Sequence, residues 1–190
     1  IRPDSVLVAA MGNHWAAGAW QRVVDMVLHT TQAGYCVWME EIQDRCLDPY
    51  DALGTMRNEA WSKASYSGLE WVLYVDCDAH PEPDFLVKML RWEMPVVAPL
   101  TLEIDPVDGK TIRQLCGPQF QADSGLHVAK WTVLSMLLIR VNALRAFHGM
   151  FWSDAIGADE GWHFQRLWAE TGHQPWVDTS LPLYVQKRPT

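Results

Sequence analysis

Two aspartates, Asp76 and Asp78, are the residues whose type and spacing best suit chemistry. They follow residues 71–75, an apolar run of Trp, Val, Leu and Tyr that is typical of a buried β-strand. Because side chains alternate along a strand, both carboxylates can face one side while Cys77 faces the other. Carboxylates at the carboxyl end of a strand in an open α/β sheet favour Mg²⁺ or Mn²⁺ shared with substrate phosphates. The spacing predicts a metal and diphosphate site, although an acidic strand end that only precedes the next helix fits the same residues.

The segments that must position these aspartates alternate between strand-like and helical patterns. Short apolar runs predict strands at residues 5–11, 35–39, 69–75, 96–100, 130–140 and 176–178. Helical spacing predicts helices at 16–32, from about 51 to near 68, from 81–84 through 90, at 142–147 and at 160–171. An Asp-Pro and Asp-Gly turn at 105–109 predicts a hairpin tip, and 112–130 shows no clear pattern. We expect one α/β domain with a mostly parallel sheet flanked by helices.

The composition restricts the partners. The 190 residues carry a formal net charge of −8 and no basic run, which disfavours extended binding to nucleic acid. Apolar stretches such as 133–139 are too short to span a bilayer, and no export leader is recognisable. Four scattered cysteines without a CxxC pair suit reduced thiols. These features predict a cytoplasmic protein that does not associate with membranes.

The order of several short motifs resembles that of GT-A glycosyltransferases, especially small enzymes near the inverting family that includes cellulose and chitin synthases. The motifs are Arg57-Asn58, Asp-x-Asp at 76–78, Pro-x-Pro-Asp at 81–84, Gly-Ala-Asp-Glu at 157–160 and Val-Asp-Thr-Ser at 177–180. The resemblance covers about residues 5–185. It implies a single Rossmann-like GT-A domain over 1–190, with a nucleotide-sugar half at 1–100 and a smaller acceptor half at 101–190.

The resemblance assigns donor-site roles to four residues. Asp78 would bind the metal directly, and Asp76 would hold the donor ribose or belong to the metal shell. Arg57 would neutralise the diphosphate, because a planar guanidinium suits phosphate oxygens. Asn58 would support the segment that carries Arg57. A solvated charge on a helix face is the plain alternative for Arg57.

The nucleoside pocket is assigned to the ends of the first two strands. By the resemblance, Glu40 or Glu41 would face the nucleoside, and Ala10 and Met11 would form the backbone wall of its pocket. Solvent-exposed residues at a strand end are the alternative for the two glutamates.

The acceptor side depends on one further carboxylate. Asp159 matches the acid that the inverting enzymes use as general base. The reaction requires such a base because an alcohol is a poor nucleophile until its proton is removed. Asp159 and Glu160 could instead complement a helix dipole, and Asp154 is the spare candidate. The family often adds a metal-binding histidine after the last strand, where residues 181–186 contain none. Asp78 and the diphosphate could hold the metal alone, or His80 or His173 could substitute for the missing histidine.

These observations predict metal-dependent transfer of a sugar from a nucleotide-sugar, with a UDP-sugar favoured, to a hydroxyl of a soluble acceptor. The acceptor could be a small molecule, a glycan, a protein or a modified base of the kind found in phage DNA. Two other functions fit parts of the pattern. One is a phosphatase of the haloacid dehalogenase type, which also has Asp-x-Asp after a strand but near its N-terminus. The other is a binding protein for sugar nucleotides that has no turnover.

Overall fold

The computed structural model describes residues 2–12, 15–43, 49–105, 109–145, 168–169 and 174–186, and their centre is a sheet of eight strands. The strands are β1 Arg2–Met11, β2 Cys36–Ile42, β3 Leu69–Asp76, β4 Val96–Ile104, β5 Thr111–Gln114, β6 Cys116–Gly117, β7 Leu126–Val128, β8 Trp131–Thr132, β9 Met136–Arg140 and β10 Trp176–Gln186. The helices are α1 Ala19–Gln32, α2 Pro49–Tyr66, α3 Phe85–Leu90 and α4 Val141–Arg145. Strands β6 and β8 form a separate small sheet.

Five of the eight described strands of the main sheet, namely β1, β2, β3, β4 and β10, run in the same direction, so the sheet is mostly parallel, as the sequence predicts. Its order is β2-β1-β3-β9-β4-β10-β7, with β5 attached to β4. Strand β1 is parallel to β2 and β3, and β10 is parallel to β4. Strand β9 lies between β3 and β4 and is antiparallel to both, so β3 and β4 run in the same direction. The carboxyl ends of β1, β2 and β3 therefore meet at one border of the sheet, which we call the carboxyl edge.

Alternation along β1 shows how the sheet is buried on both faces. Leu7 and Met11 belong to the apolar cluster that includes residues of α2, whereas Val6 and Val8 belong to the cluster that includes residues of α1 and α3. Their exposure is 4% or less, as expected for a strand with helices on both faces. Helices thus pack against both faces of the strands that end at the carboxyl edge.

The predicted strands and helices before residue 100 are found within a few residues of their predicted bounds. Strand β4 is longer than predicted because β5 pairs with its second part, and the backbone N–H of Asp105 bonds to the carbonyl of Lys110 at the predicted hairpin tip. Strand β10 is longer because its pairing with β4 resumes after a register shift between Asp178 and Pro182. The predicted strand at 130–140 is divided into β8 and β9.

The predicted donor and acceptor halves share one sheet. Strand β9 comes from the 101–190 part of the chain, and it pairs with β3 and β4 of the other part. Of the predicted helix at 160–171, only 168–169 lie within the described residues, and they are helical. No helix in the described ranges is long and apolar enough to cross a membrane.

Candidate functional site

Strand register brings the predicted donor-site residues to one edge. Met11 of β1 lies beside Ile42 of β2 and beside Asp76 of β3. The residues after these three positions therefore leave the sheet together, at the border where open α/β sheets bind ligands. The side chains of Ala10 and Met11 are buried, which leaves the backbone as the part of β1 that can border a ligand.

Asp76 is held by a buried ion pair with Arg57. Nη2 of Arg57 donates to Oδ1 of Asp76 at 2.9 Å and to the carbonyl of Leu134 at 3.2 Å. The Arg57 side chain is 0% exposed and that of Asp76 is 9% exposed, so water cannot replace either partner. The backbone N–H of Asp76 donates to the carbonyl of Ser135 at 2.8 Å. Arg57 thus lies beneath the carboxyl edge, where it fixes the position of the Asp76 carboxylate.

Tyr74 supports the same arrangement from the sheet. Its hydroxyl donates to the backbone carbonyl of Arg57 at 3.3 Å, and its side chain is fully buried. Burial raises the pKa of Tyr74 far above its usual range, although the Arg57 charge acts in the opposite direction. The phenol therefore stays neutral and remains a donor. Asn58, the next residue of α2, is half-buried.

Asp78 lies beyond the end of β3, in a turn. The strand ends at Asp76, and the backbone N–H of Ala79 bonds to the carbonyl of Asp76 at 3.0 Å. Strand alternation therefore does not extend to Asp78, and the expectation that it aligns both carboxylates is wrong. The turn, closed by this hydrogen bond, sets the place of Asp78 instead. Asp78 is half-buried at the carboxyl edge.

Gly12 lets the chain after β1 approach this turn closely. Its φ is +118°, and a Cβ built on it would lie 2.9 Å from Sγ of Cys77 and 3.1 Å from its Cβ. A side chain at position 12 would therefore be both strained and in collision with the turn. The loop after β1 and the turn that carries Asp78 are packed directly against each other.

The two glutamates at the end of β2 differ in their surroundings. Glu40 forms an ion pair with Lys63 of α2, and Lys63 also contacts Glu59 at 2.9 Å. Hydrogen bonds to these two carboxylates raise the pKa of Lys63. Glu41 is exposed and accepts a hydrogen bond at 3.3 Å from the indole Nε1 of Trp15. Of the two, Glu41 is the one joined to the loop that follows β1.

Trp15 is a candidate that the sequence analysis did not single out. Its ring meets that of Trp20 edge to face, with centroids 5.0 Å apart. It is half-buried beside Glu41, so an aromatic surface and a carboxylate lie together near the carboxyl edge. Eleven tryptophans in the chain hide such a residue, because the sequence does not show which indole lies beside a site.

A divalent cation fits this edge only if the protein and the substrate both supply oxygens to coordinate it. Among the described residues, no three His, Cys, Asp or Glu side chains are grouped so that they could hold a metal ion. Asp76 is bonded to Arg57, and Asp78 is a half-buried carboxylate on the turn. Mg²⁺ commonly uses one or two carboxylates and takes its other oxygens from water and substrate phosphates. The residues present suit that mode and not a closed site made of protein ligands alone.

His80 is the nearest histidine in sequence, and it follows Asp78 by two residues. Burial lowers the pKa of its imidazole, and the Arg22 charge lowers it further, while Asp78 acts in the opposite direction. The ring is therefore neutral at neutral pH. His173, the other substitute considered, lies outside the described residues, as do Asp154, Asp159 and Glu160.

The Val-Asp-Thr-Ser motif of β10 has a clear local function. The Asp178 carboxylate is buried and accepts hydrogen bonds from Trp92 Nε1 at 2.7 Å and from the Ser180 hydroxyl and N–H at 2.6 and 2.9 Å. The Thr179 hydroxyl donates to the carbonyl of Gly125 at 2.8 Å. These bonds give partners to the polar groups at the register shift of β10. They also connect β10 to the loop before β7 and to the segment after α3.

Comparison with known proteins finds similarity at the level of the fold. No protein-family model matches the chain, and no curated protein matches its sequence. Among solved structures it is similar to A197 from STIV, with 11% identity, a TM-score of 0.57, and coverage of 96% of this chain and 86% of that one. It is also similar to GalNAc-T7, crystallised with UDP, GalNAc and Mn²⁺, with 10% identity, a TM-score of 0.65, and coverage of 97% and 43%. A third is the catalytic domain of Drosophila β1,4-galactosyltransferase 7 in complex with xylobiose, with 12% identity, a TM-score of 0.55, and coverage of 97% and 66%.

At 10–12% identity these similarities show the fold alone. The chain spans less than half of the matched GalNAc-T7 chain and about two thirds of the galactosyltransferase chain. The predicted fold is confirmed: a mixed, mostly parallel sheet flanked by helices, of the GT-A type found in glycosyltransferases. The relationship to the inverting cellulose and chitin synthase family stays a prediction.

Proposed function

We propose that the protein transfers a sugar from a nucleotide-sugar, with a UDP-sugar favoured, to a hydroxyl of a soluble acceptor with the help of Mn²⁺ or Mg²⁺. One observation carries this proposal. At the carboxyl edge of a GT-A sheet, the buried pair of Arg57 and Asp76 fixes the start of a turn that presents Asp78. A protein of the same fold, GalNAc-T7, was crystallised with UDP, GalNAc and Mn²⁺.

Asp78 is the residue that would hold the cation, together with oxygens of the donor diphosphate. A bound cation would supply charge stabilisation for the departing nucleoside diphosphate. For Arg57 we propose a positioning role in place of the direct diphosphate contact that the motif resemblance implies. Its guanidinium is fully buried and bonded to Asp76 and to the carbonyl of Leu134, so we assign it to positioning Asp76. Asp76 would then hold the donor ribose or belong to the cation's outer shell.

The nucleoside would lie over the loop after β1. At Gly12 the backbone of this loop lies close to Cys77 because position 12 has no side chain, and the backbone of Ala10 and Met11 comes directly before it. Trp15 offers an aromatic surface, and Glu41 offers a carboxylate that is bonded to the indole. We therefore favour Glu41 over Glu40 as the nucleoside contact, because Glu40 is paired with Lys63 of α2.

The reaction follows from this division. An acceptor hydroxyl oxygen forms a bond to the anomeric carbon of the donor sugar as the bond from that carbon to the diphosphate oxygen breaks. The nucleoside diphosphate leaves with the electron pair of the broken bond, and the hydroxyl proton passes to a base. Asp159 is the proposed base.

A non-catalytic binder of sugar nucleotides is the second candidate. It is favoured by the lack of a histidine in residues 181–186, where the resembled family often has a metal-binding one. The matched structures named above include glycosyltransferases and give the phosphatase alternative no support.

The test is release of UDP from UDP-sugars with Mn²⁺, with and without candidate hydroxyl acceptors. We expect release by the unchanged protein and its loss in Asp78→Asn, which keeps the shape of the side chain but removes the charge that a hard cation requires. Asp25→Asn is the matched control, because Asp25 lies on α1 and bonds to Gln21 Nε2 at 2.8 Å, away from the carboxyl edge. UDP binding without release would support the non-catalytic binder, and equal release by both variants would refute the assignment of Asp78.

A further inference from the structure

A cleft of about 370 Å³ opens next to the turn that carries Asp78. We call it the Tyr184 cleft, and its lining residues are Arg22, His80, Glu82, Ile104, Gly109 and Tyr184. Its volume is within the range of small-molecule sites. The donor site proposed above uses none of these side chains, and of them only His80 was considered as a substitute metal ligand.

The topology explains why a cleft forms at this place. Strand β9 pairs with β4 only at Val96 and Val97, so the later part of β4 continues past the level at which β3 ends. Strand β10 accompanies it, and Tyr184 pairs with Leu102 in this projecting part. The cleft thus has three sides. One is formed by the projecting ends of β4 and β10, one by the N-terminal half of α1, and one by the segment between β3 and α3.

The charges of the cleft favour a neutral ligand. Nη1 of Arg22 lies 2.9 Å from Oε1 of Glu82, and the two side chains are 46% and 58% exposed. The pair cancels its own charge, and Asp78, two residues before His80, adds a negative charge nearby. A phosphate or carboxylate ligand would therefore gain little attraction here. The pair can still donate to and accept from hydroxyl groups, which have both capacities.

Two further groups suit a sugar ring. The Tyr184 side chain is 42% exposed and offers an aromatic face with a polar end. His80 lines the same cleft, and an imidazole ring can take part in hydrogen bonds to hydroxyl groups. An aromatic face and a neutralised ion pair, with an imidazole beside them, together match a polyhydroxylated ring.

We propose that the Tyr184 cleft binds the neutral saccharide that accepts the transferred sugar. The identification of this saccharide as the acceptor rests on the proposed function, whereas its binding in the cleft does not. His80 connects the two sites, because at most about 7 Å of chain separates its Cα from that of Asp78. A glycan hydroxyl held here would lie beside a donor sugar whose diphosphate is at Asp78.

The test uses saturation-transfer NMR without nucleotide or metal. The probes are methyl β-glucopyranoside, methyl β-galactopyranoside and xylobiose, with glucose 1-phosphate as the anionic comparison. We expect saturation transfer to at least one neutral probe, with affinity about five- to tenfold weaker in Tyr184→Ala and nearly unchanged in Tyr184→Phe, which keeps the ring. Absence of transfer to all three neutral probes, equal binding by Tyr184→Ala, or preferential binding of glucose 1-phosphate would overturn the proposal.

A second measurement separates this inference from the proposed function. The thermal shift caused by UDP with Mn²⁺ should be equal in Tyr184→Ala and the unchanged protein. A smaller shift in the variant would place the cleft in the donor site and would refute the inference. If the unchanged protein binds a neutral saccharide but shows no shift with UDP, the proposed function fails and the cleft stands as a saccharide site.

Discussion

Replacing Arg57 with methionine should destabilise the fold strongly, because it leaves a buried carboxylate without its cation. The Arg57 side chain is 0% exposed and that of Asp76 is 9% exposed, and their atoms are 2.9 Å apart. Breaking a buried pair from one side costs about 3–5 kcal/mol. For a domain of this size, such a loss lowers Tm by roughly 6–20 °C.

Arg22→Met is the matched control for this prediction. Its ion pair with Glu82 has the same separation of 2.9 Å, but the side chains are 46% and 58% exposed. A solvated pair contributes about 0–1 kcal/mol, so the control isolates the effect of burial. The assay is equilibrium unfolding in urea followed by tryptophan fluorescence.

The reasoning would be refuted if Arg57→Met lost no more stability than Arg22→Met. A double-mutant cycle with Asp76→Leu adds a second check. Because the double variant buries no unpaired charge, it should lose clearly less than the sum of the two single variants. Additive losses would mean that Arg57 and Asp76 stabilise the fold independently and that the pair does not position Asp76.

Three further predictions concern the ligand and the carboxyl edge. UDP at a hundred times its Kd should add about 2.7 kcal/mol to the free energy of unfolding when Mn²⁺ is present and little when EDTA removes it, as differential scanning fluorimetry would show. Gly12→Ala should cost about 1–3 kcal/mol in urea unfolding because φ is +118° and Cys77 lies 2.9 Å from the new Cβ, and Cys77→Ala should restore only part of it because φ is unchanged. Asp159→Asn should keep UDP affinity within a few-fold by calorimetry and reduce transfer by about 10²- to 10⁴-fold; loss of binding instead would assign Asp159 to the donor site.

Local sequence patterns predicted the elements that build the donor side. The apolar run before Asp76 forms the interior strand β3, and helical spacing places α1 and α2 where they were expected. These predictions succeed because a strand or helix with a buried face requires apolar residues at a fixed period. The mostly parallel sheet follows from the alternation of the two element types, because parallel neighbours require a crossover between them.

The sequence was less informative where pairing partners are distant. Strand β10 extends past its predicted end because β4 supplies a partner after a register shift, and β5 to β8 are short strands that exist through their neighbours. The pairing of β9 with β3 joins residues 61 to 69 positions apart, from Val75 with Met136 to Trp71 with Arg140. No local pattern encodes such partners. The predicted end of β10 was therefore too early, and the segment from 112 to 130 was left without a predicted structure.

Residue types and spacing indicate which side chains can do chemistry, namely the carboxylates of Asp76 and Asp78 after a strand-like apolar run. The packing of distant elements sets how the two carboxylates differ. It paired Asp76 with a fully buried Arg57, placed Asp78 in a turn, and joined Glu41 rather than Glu40 to the loop of Trp15. The physical reason is that burial and charge partners depend on which distant elements pack together. Residue type and spacing fix only what a side chain is able to do.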